Sequence, residues 1–146
     1  MEERIIMKKT TKSGPVDVLL AVFSVAYLVG VRTVFLPCGP KEDGSWMNCH
    51  WAGQAVTGIA VCLVILSIAH LLTGNRGMKL GLDMGVMVLT VFSALIPGRL
   101  IGLCMMPDMR CHQLMTPSVT VCSVLVLAAA VADAALIGRK GKRHDV

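Results

Sequence analysis

A chain of 146 residues makes one domain, and 55% of this one is hydrophobic while only 16% is charged, against about a quarter in soluble domains. The apolar residues fall in unbroken runs rather than on one stripe, which excludes an ordinary soluble core. The net charge of +5 is no nucleic-acid signal, because the basic residues collect at the ends of those runs and between them.

Residues 1–15 carry Arg4, Lys8, Lys9 and Lys12 and precede the first apolar run, Val16–Leu36. A cleaved signal peptide needs a shorter apolar stretch and a small-residue cleavage site, and neither is present. Pro37, in Phe35-Leu36-Pro37-Cys38, stands where a lipoprotein signal needs a small residue, so the run reads as an anchor. A loop at Pro37–Trp51 leads to the second run, Ala52–Leu72. The short connection Thr73–Met78 makes the third run, Leu80–Ile96, its antiparallel neighbour. A second long loop, Pro97–Pro117, leads to the fourth run, Val119–Ile137, and residues 138–146 form a basic tail.

Each run has about the 20 residues that a helix needs to cross a hydrocarbon core about 30 Å thick. In lipid every backbone group must be paired within its own segment, so the runs read as helices. Ten of the fourteen Lys and Arg lie at the N-terminus, in the short turn (Arg76, Lys79) and in the tail. The positive-inside rule then predicts an all-α, four-helix membrane bundle with both termini cytoplasmic. Helix contacts in lipid favour small residues at four-residue spacing, which Ala26/Gly30, Gly81/Gly85, Ala128/Ala132 and Ala130/Ala134 supply.

The two long loops resemble each other. The first runs Arg32, Cys38, Met47-Asn48-Cys49-His50; the second runs Arg99, Cys104, Met109-Arg110-Cys111-His112. Val22-Phe23-Ser24 and Val91-Phe92-Ser93 match in the helices leading in, and Cys62 and Cys122 follow in the helices leading out. Asp17 and Asp83 open the two ascending runs. This order predicts a tandem duplication of a helical hairpin, residues 16–72 and 79–137. The halves would be related by a pseudo-two-fold axis along the membrane normal. Such an axis brings Cys49-His50 towards Cys111-His112.

The pattern F-x-P-C, M-x-C-H-W, then I-G-L-C, M-x-C-H resembles a bacterial and archaeal membrane family, domain-of-unknown-function family 4418, over nearly the whole chain. The resemblance implies four helices in a prokaryotic plasma (inner) membrane and brings no established activity. It also implies a partner, a membrane-transport complex of the ABC type, beside the lipid bilayer itself; an oligomer is a further option.

Three readings of the loop clusters stay open. Cysteines on the oxidising side commonly end as disulfides, here Cys38–Cys49 and Cys104–Cys111, as inert staples of an accessory subunit. A structural bridge does not require Met two residues before, and His just after, one of its cysteines, twice over. Cys49, His50, Cys111 and His112, with Met47 and Met109, make a ligand set suited to Cu(I) or Zn(II). A bis-imidazole haem between His50 and His112 is the remoter variant, without a C-x-x-C-H motif. The third reading is thiol–disulfide exchange among Cys38, Cys49, Cys104 and Cys111. The outline then resembles quinone-coupled disulfide-generating enzymes, although no C-x-x-C is present. Arg32 and Arg99 would lower thiol pKa values there, or simply snorkel. Cys62 and Cys122 read as small packing residues. Asp17, His70, Asp83 and Asp133 read as interfacial groups paired with Lys and Arg, such as Lys79 with Asp83, or as a proton path. No nucleophile arrangement or phosphate loop is present, and no catalytic residue emerges.

Overall fold

The computed structural model describes residues 14–36, 38–103, 105–106, 108 and 111–142. Four long helices carry the described residues: α1 Pro15–Thr33, α2 Asn48–Leu72, α3 Arg76–Leu95 and α4 Thr116–Lys142. All four are long and apolar enough to span a membrane, and the chain is a multi-pass membrane protein.

Local chemistry sets the helix ends. Pro15 occupies the first turn of α1, where its missing N–H costs nothing, and the Asp17 carboxylate accepts the Gly14 N–H at 3.2 Å. The Asn75 side chain accepts the Gly77 N–H at 3.0 Å and starts α3 at Arg76, three residues earlier than the expected turn allowed. At the end of α1 the Gly30 carbonyl accepts the N–H groups of both Val34 and Phe35. The chain folds back so closely that a Cβ on Gly30 would lie 2.7 Å from the Phe35 ring.

α4 is entered through one π turn, Cys111–Met115. Pro117 cannot donate to the carbonyl four residues back and pushes it away. The Thr116 hydroxyl bonds the Cys111 carbonyl at 2.9 Å.

α1 packs on α2 and α4, and α3 packs on α2 and α4, so α1 faces α3, and α2 faces α4, across the bundle diagonals. Buried positions recur at alternating spacings of three and four: Asp17, Leu20, Ser24, Tyr27 in α1, and Asp83, Val86, Thr90, Ser93 in α3. In α2 they are Val56, Ala60, Leu63, Ser67, His70, and in α4 Val119, Ser123, Val126, Ala130, Asp133. This is the seam of a left-handed bundle. Its polarity is the inverse of a soluble protein's. Val22, Val29, Ile65, Met84, Val88 and Val124 face outward, while Asp17, Ser24, His70, Lys79, Asp83 and Asp133 are buried. An apolar rim around a polar seam fits lipid outside and polar pairing within.

Of the small residues expected to seat helices, Gly85 leaves room where a Cβ would lie 3.7 Å from Leu66, and Ala130 is buried. Gly81, Ala128 and Ala132 face outward instead. Cys122 packs against the core, and Cys62 is exposed on the outer face.

Candidate functional sites at the two ends of the bundle

At the loop end, the start of α2 and the π turn of α4 bury Cys49 and Cys111 completely. Cys38, just beyond α1, swings in beside them, and the three sulfurs all lie within 4.8 Å of one another. The Cys38 and Cys111 sulfurs are 3.9 Å apart. The π turn has a visible use here. Cys111–Val119 is one residue longer than Cys49–Val56, and a π turn absorbs one extra residue, so both cysteines reach the same depth.

The structure thus brings together Cys49 and Cys111, which sequence reasoning paired, and adds Cys38, which it assigned to a bridge within the first hairpin. No two described cysteines are at bonding distance, and the 3.9 Å contact joins Cys38 to the other hairpin. Cys104 and Met109 lie outside the described residues.

His50 stands at the side of this centre, its ring stacked on Trp46 with centroids 4.0 Å apart, and edge-on to Trp51. His112 is exposed in the π turn, and Met47 is half-buried at the N-cap of α2. Arg32, Cys38, Trp46, His50, Gln54 and Thr57 line an open groove of about 480 Å³, which gives Cys38 access to the surface. Arg99 is exposed beyond α3. In the first loop Asp43 accepts the Ser45 N–H at 2.9 Å and its hydroxyl at 2.6 Å, and these bonds hold its carboxyl below the usual range.

The opposite end, where α1 begins and α2 ends, corrects the expectation of interfacial pairs. Asp17, His70, Lys79, Asp83 and Asp133 are all buried, with His70 and Asp83 fully so. Lys79 turns inward, donating to Asp17 of α1 rather than to Asp83 on its own helix. His70 Nε2 lies 3.2 Å from Asp83 Oδ1 and 3.0 Å from Asp133 Oδ2. The reason is periodicity. Asp17, Asp83 and Asp133 occupy seam positions of their helices, in register with Ser24, Thr90 and Ser123. That spacing was readable in the sequence and marks them as internal. About 20 residues of α2 separate Cys49 from His70, which places the two clusters roughly 30 Å apart along the bundle.

Between the clusters the seam stays polar in steps. The Ser24 and Ser67 hydroxyls are 2.8 Å apart, and the Tyr27 hydroxyl bonds Ser93 across the diagonal. Ser123 of α4 is buried in the same seam.

A family model described as "Domain of unknown function (DUF4418)" matches residues 20–136, which take in α2 and α3, most of α1 and α4, the three clustered cysteines, and His70, Lys79, Asp83 and Asp133 but not Asp17. The chain belongs to that family. A search of curated proteins and a search of solved structures each found no match. For this DUF4418 chain the chemistry of the two sites therefore has to carry the functional reading.

Proposed function

We propose that the loop end of the bundle is extracytoplasmic and binds a soft metal ion, with Cys38, Cys49 and Cys111 as thiolate ligands. The observation that carries the reading is the convergence of three cysteine sulfurs, drawn from both hairpins, within 4.8 Å. Three thiolates at that separation suit Cu(I) in a trigonal sulfur environment, or Zn(II) if a histidine completes a tetrahedron. His50, His112 and Met47 are the outer members of the site, and a rotation of His50 off Trp46 would add an imidazole. Burial keeps solvent from the centre, while the groove beside Cys38 supplies the way in.

The orientation rests on charge. Lys79 is buried and drops out of the positive-inside count, but residues 1–15, Arg76 and the tail still hold most of the basic charge. The two hairpins descend from a duplication in this reading. Support comes from matched seam residues: Asp17 with Asp83, Val56 with Val119, and Cys49 with Cys111; counted from the Asp pair, Ser24 matches Thr90, so the Val-Phe-Ser match of Ser24 with Ser93 is three residues out of register. A prokaryotic inner membrane is the setting the family resemblance implies.

X-ray absorption of the Cu(I)-loaded protein in detergent tests the site. A first shell of three sulfurs is the expected result; a shell of nitrogen and oxygen alone contradicts it. A second reading, thiol exchange, draws on the 3.9 Å gap between Cys38 and Cys111. A disulfide needs about 2.05 Å, so a closure of roughly 2 Å would link the two hairpins.

A further inference from the structure

At the end of the bundle where α1 begins, two carboxyl groups meet. Asp17 of α1 and Asp133 of α4 are both buried, and their side chains share a hydrogen bond. An ionised carboxylate only accepts hydrogen bonds, so this contact requires a proton on one of the two. Asp17 is not its holder. Lys79 forms an ion pair with the Asp17 carboxylate and the Gly14 N–H donates to it, two partners that an ionised group serves best. The proton therefore belongs to Asp133, and Asp17 accepts the bond.

Charge makes the same point. Asp17, Asp83 and Asp133, all ionised, would bring three negative charges into the bundle, against two positive ones on Lys79 and a protonated His70. Lys79 answers Asp17, and His70 answers Asp83 through a side-chain hydrogen bond. Asp133 is left over. An unmatched charge within a membrane-spanning bundle is costly, and a proton on Asp133 brings the whole cluster to neutrality. The groups facing Asp133 are Asp17 from α1, His70 from α2 and Asp83 from α3, while Lys79 of α3 faces Asp17 and His70.

We propose that Asp133 is an exchangeable proton-binding site within the bundle, with Asp17 and His70 on either side of it. Asp133 Oδ2 lies 3.0 Å from His70 Nε2, so the carboxylate left behind after release faces an imidazolium. In that step the O–H bond of Asp133 breaks and water at this end of the bundle takes the proton; uptake reverses it. All four helices supply a member of the cluster. Each proton gained or lost therefore changes the net charge at the point where they meet, which links proton binding to their packing. From there the polar seam continues inward through Ser24 with Ser67, and through Tyr27, whose hydroxyl bonds both Ser93 and Ser123. Proton-coupled work in the membrane is the activity that such a site equips. It is independent of the thiol centre and stands or falls separately.

Infrared spectroscopy of the full chain in detergent, with isotope-labelled aspartate, reads this proton directly. At neutral pH one protonated aspartic carboxyl per chain should appear. Its carbonyl band should shift on transfer to heavy water and disappear reversibly as the pH is raised. The band should be lost in Asp133→Asn, return as a glutamic band in Asp133→Glu, and persist in Asp43→Asn and Cys111→Ser. Should Asp133→Asn fold poorly, the unaltered protein still decides through the count and the exchange. Absence of a protonated carboxyl at neutral pH, or a band that survives in Asp133→Asn, would overturn the proposal. So would a band that never shifts in heavy water, since that proton would be locked in place as a structural one.

Discussion

Lys79 of α3 and Asp17 of α1 face each other across a diagonal of the bundle and form a buried ion pair, although Lys79 is spaced to pair with Asp83 on its own helix. The diagonal contact changes what the pair is worth. An exposed i,i+4 pair contributes a few tenths of a kcal/mol, whereas stranding one buried charge costs about 3–5 kcal/mol.

Asp17→Asn should therefore destabilise the protein by about 3–5 kcal/mol, and Lys79→Met by a similar amount, because each leaves a buried charge unmatched. The double variant should recover most of the loss. Unfolding in mixed micelles, read by circular dichroism, checks this. Additive losses in the double variant would mean that the two side chains act separately.

Two glycines, Gly30 near the end of α1 and Gly81 near the start of α3, should respond in opposite directions. A Cβ at Gly30 meets the Phe35 ring at 2.7 Å, while one at Gly81 meets nothing within 4 Å. Gly30→Ala should cost about 1–3 kcal/mol by overpacking, and Gly81→Ala should gain up to about 1 kcal/mol from helix propensity. The same unfolding experiment reads both.

Oxidation of the purified protein should cross-link Cys38 to Cys111 in preference to Cys38 with Cys49, because the 3.9 Å contact already joins the hairpins. Mass spectrometry of tryptic fragments identifies the bond. Exclusive Cys38–Cys49 and Cys104–Cys111 bridges would favour the inert-staple, accessory-subunit reading.

Topology has its own check. An impermeant thiol reagent applied to intact cells should label Cys38 through its open groove, and reporters fused at the C-terminus should read cytoplasmic. A C-terminus outside would invert the bundle and put the thiol centre in the cytoplasm.

The four helices were legible because lipid imposes its own length and pairing rules on the chain. Their ends moved by a few residues where caps decide them, as Asn75 does for α3. Cys49 and Cys111 were readable as a converging pair from the doubled motif. Cys38 was not, because its approach depends on how the loop folds after Phe35 turns back over Gly30. The depth of Cys111 likewise depends on a π turn, which no periodicity announces. The buried Asp–His–Lys cluster was missed for a different reason. Its residues lie near helix ends, where charge normally meets water, and only their alternating three-and-four spacing with Ser24, Ser67, Thr90 and Ser123 marks them as internal.

The most direct test of the thiol centre is a Cu(I) competition titration with a free-thiol count on the same detergent-purified sample, for the unaltered protein and for serine substitutions at Cys38, Cys49 and Cys111. One Cu(I) should bind per chain and protect three thiols from alkylation. Each serine should lower the affinity at least tenfold, and loss of Met47 should weaken Cu(I) more than Zn(II). A protein that arrives with these cysteines oxidised, binds no Cu(I) after reduction, and is indifferent to all three serines would contradict the account.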